Sequence, residues 1–283
     1  MSVPAFQDIS KAANDLLGKD FYHLSAGTIE VKSNTPNNVA FKVNGKSSHE
    51  KATSGTIEGK YTDKLNGFTL TQTWNTANIL DTKFEMADNI TKGLKAEGIF
   101  SFLPQSQAKG AKFNLHFKQS NFHGRAFFDL LKGPTANIDA VVGHDGFLAG
   151  ASAGYNVQTA QITGYSAAVG YLAPSYSTAI TATDNLSVFA ASYYHKVNSQ
   201  VEAGAKATWN SKTGNNVGLE VATKYRLDPV SFVKAKINDR GVAAVAYNVL
   251  LREGVTLGVG ASFDTQKLDQ ATHKVGTSFT FES

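Results

Sequence analysis

KFNLHFK, residues 112–118, alternates without a break: Phe113, Leu115 and Phe117 fall on one side of an extended chain, and Lys112, Asn114, His116 and Lys118 on the other. A period of two with one apolar and one wetted face is the mark of a β-strand. The device repeats outward in both directions. Val39, Phe41 and Val43 oppose Ala40, Lys42 and Asn44, and Phe68, Leu70 and Trp74 oppose Thr69, Thr71 and Thr73. Further on, Val217, Leu219 and Val221 oppose Gly218, Glu220 and Lys224, while Val255, Leu257, Val259 and Phe263 oppose Thr256, Gly258 and Ser262. From residue 25 to the end, nineteen such segments of about 9 to 11 residues follow one another, each ended by Asn, Asp, Gly, Pro or Ser. Connections of mostly two to five residues dictate antiparallel neighbours and hence a meander.

A soluble sandwich alternates in the same way, so a soluble β-rich binding protein is the rival reading. Three features favour a transmembrane β-barrel. The segments have the length that crosses a bilayer when tilted, whereas globular strands centre nearer five or six residues. A meander of nineteen one-sided strands has no second layer to cover its apolar faces, and lipid covers them all. Trp74, Phe102, Tyr155, Tyr171, Trp209, Tyr225, Tyr247 and Phe281 fall toward segment ends, where aromatic girdles meet headgroups.

One stretch has helical spacing: MSVPAFQDISKAANDLLGKDF, residues 1–21. Ala5, Ile9, Ala12 and Leu16 share a face, with Ala13 and Leu17 beside them, and Asp8, Lys11, Asn14, Asp15 and Lys19 take the other. Pro4 fits a first helical turn and Gly18 an end. Gly18 and Gly27 bracket a connection that can bend. Such a helix either caps the β-structure or lies inside a wide one. Domain organisation is therefore expected as a helix over 1–21 and one barrel over 25–283.

Composition removes other classes. The 283 residues contain no linker-like stretch and no cysteine, which excludes disulfides and thiolate chemistry. A net charge of +4 is spread over alternating lysines and acids, so no nucleic-acid partner is expected. No apolar run approaches the roughly 18 to 20 residues of a spanning helix. The N-terminus has neither a secretory signal nor an arginine-bearing presequence, so synthesis in the cytosol with the N-terminus retained is expected. No paired carboxylates or nucleophile–histidine arrangement stands out, so no enzyme is expected. Gly258-Val-Gly260 continues as strand where a dinucleotide loop needs a helix, and His116 and His123 read as wall residues more readily than as metal ligands; neither metal nor cofactor is expected.

The opening VPAFQDISKAANDLLGKDFY, the triplet Gly93-Leu94-Lys95 and a long signature resemble the voltage-dependent anion channels, the general porins of the mitochondrial outer membrane, and fungal members in particular. The signature runs through Tyr225, Asp228, Pro229, Ser231, Ala235, Lys236, Ile237, Asn238, Asp239, Ala244, Val245 and Tyr247. The resemblance spans the chain. It implies an all-β membrane protein, a 19-stranded transmembrane β-barrel with an amphipathic α-helix inside the pore. An odd number of strands requires the first and last to pair in parallel. The function implied is a voltage-gated, weakly anion-selective diffusion pore in the mitochondrial outer membrane. Its expected partners are membrane lipid, with ATP/ADP, NADH and small anions as permeants and a homo-oligomer as one assembly.

Candidate residues follow from the polar face. Glu30, Lys60, Lys95, Lys112, Arg125, Lys206, Lys234 and Lys236 are expected to line the lumen and set selectivity, with Asp15 and Lys19 of the helix taking part in gating. The resemblance further implies adenine-nucleotide contacts from Lys11 and Lys19. It also implies NADH contacts from Val242, Ala243 and Ala244 with Gly260, Ala261, Ser262, Phe263 and Asp264. Lys274, Gly276, Phe279 and Phe281 resemble the sorting signal of mitochondrial outer-membrane barrels, and by pattern alone they are equally an ordinary closing strand. Animal members often carry a membrane-facing glutamate where this chain has Gln72, so functions tied to that carboxylate are not carried over.

Overall fold

Alternation along the chain becomes nineteen strands. The computed structural model describes every residue except 1, 51, 90, 132, 215, 216 and 271. The first strands are β1 (Gly27–Asn34), β2 (Val39–Ser47), β3 (Thr53–Asp63), β4 (Phe68–Asn75), β5 (Leu80–Ala87) and β6 (Leu94–Leu103). Then come β7 (Ala108–Lys118), β8 (Phe122–Asp129), β9 (Thr135–His144), β10 (Phe147–Asn156), β11 (Gln161–Leu172) and β12 (Tyr176–Thr183). The last are β13 (Val188–Lys196), β14 (Val201–Asn210), β15 (Val217–Asp228), β16 (Ser231–Asn238), β17 (Val242–Arg252), β18 (Val255–Asp264) and β19 (Lys274–Glu282). Each pairs antiparallel with the next, and β1 closes on β19 in parallel, from Gly27 opposite Thr277 to Lys32 opposite Glu282. Closure leaves no sheet edge, the condition for a sheet to stand in lipid.

Phe41, Phe113 and Leu219 are 49%, 38% and 47% exposed, with no protein layer over them. Large apolar side chains displayed all around a closed barrel are what a lipid solvent selects. The girdle aromatics all lie on this outer face; Tyr247, however, sits in the middle of β17, opposite Val259 and Val233, and so belongs to no girdle. Gln72 faces outward with Leu70 and Trp74.

The helical stretch is shorter than its spacing predicts. A 3-10 turn at Phe6–Asp8 is followed by α1 (Lys11–Gly18), and residue 1 lies outside the described residues. Between the two, Ser10 leaves helical geometry at φ −102°, ψ 15°, and its hydroxyl oxygen accepts from Asn14 Nδ2 instead of capping the backbone. At the other end Lys19 is extended and Asp20 turns left-handed at φ 58°.

The hydrophobic core lies between this segment and the inner wall. Val3 and Ile9 meet Val141, Leu148, Ala168 and Ala179; Leu16 and Leu17 meet Ala222; Phe21 meets Ala244 and Ala246. All these wall residues are on the inner faces of β9 to β17, so the helix lies in the lumen. Close approach requires missing side chains beneath it. A Cβ at Gly170 would stand 2.9 Å from Ile9 Cγ2, and one at Gly204 the same distance from Leu16 Cδ2. Burying each large aliphatic side chain in this seam contributes about 1.5 to 3 kcal/mol.

Candidate functional site

The lumen has two dissimilar walls. Along β1 to β8 the inner face is charged and open to water. Glu30 holds Lys32 at 3.0 Å and Lys42 at 2.9 Å. Glu85 and Glu97 face one another directly across β5 and β6, an arrangement that is repulsive unless cations intervene. Lys83 and Lys95 intervene: each contacts both carboxylates, at 3.1 and 3.3 Å for Lys83 and at 2.5 and 2.8 Å for Lys95. Asn114 Nδ2 donates to Glu97, which His116 approaches at 3.6 Å. Arg125 grips Asp139 with two donors, at 3.0 and 2.8 Å, and lies over the Phe127 ring. Beside this belt Glu58, Lys60, Asp81, Lys83 and Lys112 line a recess of about 480 Å³ in the wall.

The opposite wall, β9 to β19, is covered by the N-terminal segment, and three lysines expected in the water path are turned toward it. Lys206 Nζ donates to Asn14 Oδ1 at 3.0 Å. Lys234 Nζ donates to the carbonyls of Lys19 (2.8 Å) and Asp15 (3.3 Å), and its side chain is only 2% exposed. Lys236 Nζ donates to Leu17 O at 2.8 Å and to Glu220 at 3.0 Å. The last carbonyls of a helix have no partner within it and carry the negative end of its dipole, so they draw cations. Lys234 and Lys236 are therefore turned to the end of α1, and Lys206 to the side chain of Asn14, all three from the inner face of the wall. Lys60, Lys95, Lys112, Arg125 and Glu30 stay on the open wall.

On its water side, Lys19 pairs with Asp15 at 2.8 Å and Lys11 with Asp8 at 3.3 Å; both lysines are more than half exposed. Within the connection of residues 18 to 25, the stretch from Phe21 to Ser25 is a strap seated on the wall. Phe21, His23 and Ser25 are buried, Tyr22 Oη accepts from Asn248, and a Cβ at Gly276 would collide with the Tyr22 and Ser25 carbonyl oxygens. Among the expected sorting residues, Lys274 and Gly276 therefore face inward while Phe279 and Phe281 stack on the outer face. The residues implied for NADH alternate between faces. Val242, Ala244, Gly260, Ser262 and Asp264 point inward, and Ala243, Ala261 and Phe263 outward. Ala244 and Gly260 lie beneath Phe21 and the strap. His123 Nδ1 lies 3.3 Å from Val3 O, and no metal-holding cluster is present among the described residues.

The seat itself escapes the alternation rule. Val141 and Leu148 are apolar on the inner face, and the alanines and glycines around them carry no contrast between faces. What distinguishes the seat is the run of small inner residues directly beneath the segment, among them Gly150, Ala168, Gly170, Ala179, Gly204 and Ala222.

The family model for eukaryotic porins matches residues 2–276. The chain is 86% identical over 283 residues to the mitochondrial outer membrane protein porin of Neurospora crassa, covering 100% of both chains. It is 43% identical over 286 residues to non-selective voltage-gated ion channel 1 of Saccharomyces cerevisiae, again covering 100% of both. A solved mutant porin of Rhodopseudomonas blastica superposes with a TM-score of 0.52 at 9% identity, over 81% of this chain and 90% of that one. This last likeness is one of fold.

Proposed function

Because the chain belongs to the eukaryotic porin family, we propose that it is a voltage-gated general diffusion pore of the mitochondrial outer membrane, weakly selective for anions. The observation that carries this reading is a closed barrel, apolar outside, whose inner wall is charged along β1 to β8 and bears a helix along β9 to β19. Nineteen strands about 4.8 Å apart and tilted near 40° give a backbone radius of roughly 19 Å, and side chains reduce the lumen to roughly 13 Å. A helix about 10 Å across, held to one side, leaves a water path wide enough for ATP, ADP, NADH and small ions.

Anion preference follows from uncompensated cations. Lys83 and Lys95 are balanced by Glu85 and Glu97, and Arg125 by Asp139, whereas Lys32 and Lys42 share the single carboxylate of Glu30. Lys60 and Lys118, against Glu58 and Asp81, join no ion pair among the described residues. The excess is small, and the Debye length of about 8 Å at physiological salt is shorter than the lumen radius. Selectivity is therefore a modest ratio that grows as salt falls. Charge on the exposed helix face samples part of the transmembrane potential, and one elementary charge crossing the whole field is worth about 2.3 kcal/mol per 100 mV. A few effective charges moving part-way bias a two-state equilibrium at tens of millivolts.

Recording the purified protein in planar bilayers under a salt gradient tests this reading. The expected result is a large pore with an anion-sided reversal potential that closes at both polarities. Cation preference in the fully open state, or no pore at all, would overturn it.

A further inference from the structure

We propose that Lys234 and Lys236 are positioning residues that clamp the C-terminal end of α1 to β16, with Phe21 as the shared platform. Both ammonium groups lie over the same ring, at 4.8 and 4.7 Å from its centre. Between them they take the carbonyls of Asp15, Leu17 and Lys19, covering the last turn of the helix and the residue beyond it. A lysine is almost never fully enclosed unless its charge is matched, and Lys234 has no carboxylate in contact among the described residues. Its match is the helix end itself, two carbonyls and a π face, which suits a compact ammonium with three donors. The ring in turn is held by Ala244 and Ala246 beneath it, and the strap that follows is seated over Gly260 and Gly276.

The arrangement fixes what can move. Phe21 and the helix end cannot lift from the wall without exposing an apolar ring, three carbonyls and two cations at once. While the clamp holds, the C-terminal end of α1 and strand β16 behave as one body, and the strap does not act as a free hinge. Loosening the clamp lowers the cost of displacing the helix, so closure occurs at smaller voltages.

The chain has no cysteine, so single-site spin labels report on the helix without background. Gly18→Cys places a label at the clamped end, where a Cβ meets nothing within 4 Å, and Gln7→Cys places one on the exposed side of the 3-10 turn. In Lys234→Met/Lys236→Met protein reconstituted in vesicles, the label at 18 should show a several-fold shorter rotational correlation time, with a smaller change at 7. Phe21→Leu, which keeps both cations and removes their platform, should loosen position 18 in the same direction and serves if the double variant does not insert. Unchanged mobility at 18 in whichever variant inserts would overturn the clamp. The label readout does not depend on the reading as a gated pore; in bilayers the same variants should close nearer zero voltage. A protein that forms no pore but loosens at 18 would sink the proposed function and leave the clamp standing.

Discussion

Leu16 fits over the missing side chain of Gly204: a Cβ on that glycine would lie 2.9 Å from Leu16 Cδ2 and 3.0 Å from the Tyr193 carbonyl oxygen. One methyl group on the wall would therefore displace the helix. Gly204→Val should detach α1, whereas Leu16→Ala should weaken its docking by about 2 to 5 kcal/mol through the cavity it leaves. Protease cleavage within residues 1 to 20 of the reconstituted protein measures this, and both variants should be cut faster than the wild type. Equal rates would mean that the Gly204 seat does not hold the helix.

Outer and inner faces should respond oppositely to charge. Arginine at Leu70 or Leu219, both facing outward, should cost about 2 to 4 kcal/mol of barrel stability near the midplane, while arginine at Thr71 or Gly218 should be tolerated. Urea titration of the barrel in vesicles reads the difference. Equal losses on both faces would refute the assignment.

Lys19 is 62% exposed at its side chain and paired with Asp15 in water, where such a pair contributes little beyond its position in the field. Lys19→Glu should shift the open-state reversal potential toward cations and alter the steepness of closure. Lys95→Glu should act in the same direction and should also break the network, since Glu85 and Glu97 would lose a shared cation. Single-channel recordings in which Lys19→Glu changed neither quantity would remove the helix from the conduction path.

His23 supplies a pH dependence. Burial of its imidazole in the strap lowers its pKa below the ordinary value of 6.5, and the positive charges of Lys236 and Lys274 add to the shift. The His49 ring, which donates to the His23 carbonyl, also faces it from the β2–β3 turn. A seated strap therefore binds fewer protons than a released one. Its stability is fully present above the ordinary imidazole pKa and falls as pH drops below it. A spin label at Leu24→Cys should become more mobile between about pH 7 and pH 5; His23→Gln should remove that dependence, and a flat profile in the parent would contradict it.

Strand positions were legible because each pore strand stands between two solvents, and alternation records both. The segment expected at 38 to 46 is β2, Val39–Ser47, and the one at 273 to 281 is β19, Lys274–Glu282. Parity also placed Lys60 and Lys234 on the inner face correctly. It could not say that one meets water and the other a helix end, because that depends on a segment more than 200 residues away in the chain. The seat at Val141 and Leu148 was hidden for the same reason, since an apolar inner residue reads as noise until its partner is in place. The break at Ser10 depends on a local competition between side chain and backbone that helical spacing does not register.

The seam between β1 and β19 has a consequence for how the barrel is made. It joins Gly27 to Thr277, nearly the full length of the chain, so the ring cannot shut until the final strand has been synthesised. Closing so long a loop carries an entropy cost that grows only logarithmically, about 0.6 kcal/mol per doubling, and contacts so distant in sequence slow folding. Until then two strands keep unpaired edges, which template aggregation in water and are forbidden in lipid. Assembly must therefore shield both ends of the sheet at once, and a chain truncated before Lys274 should accumulate as an open, aggregation-prone sheet.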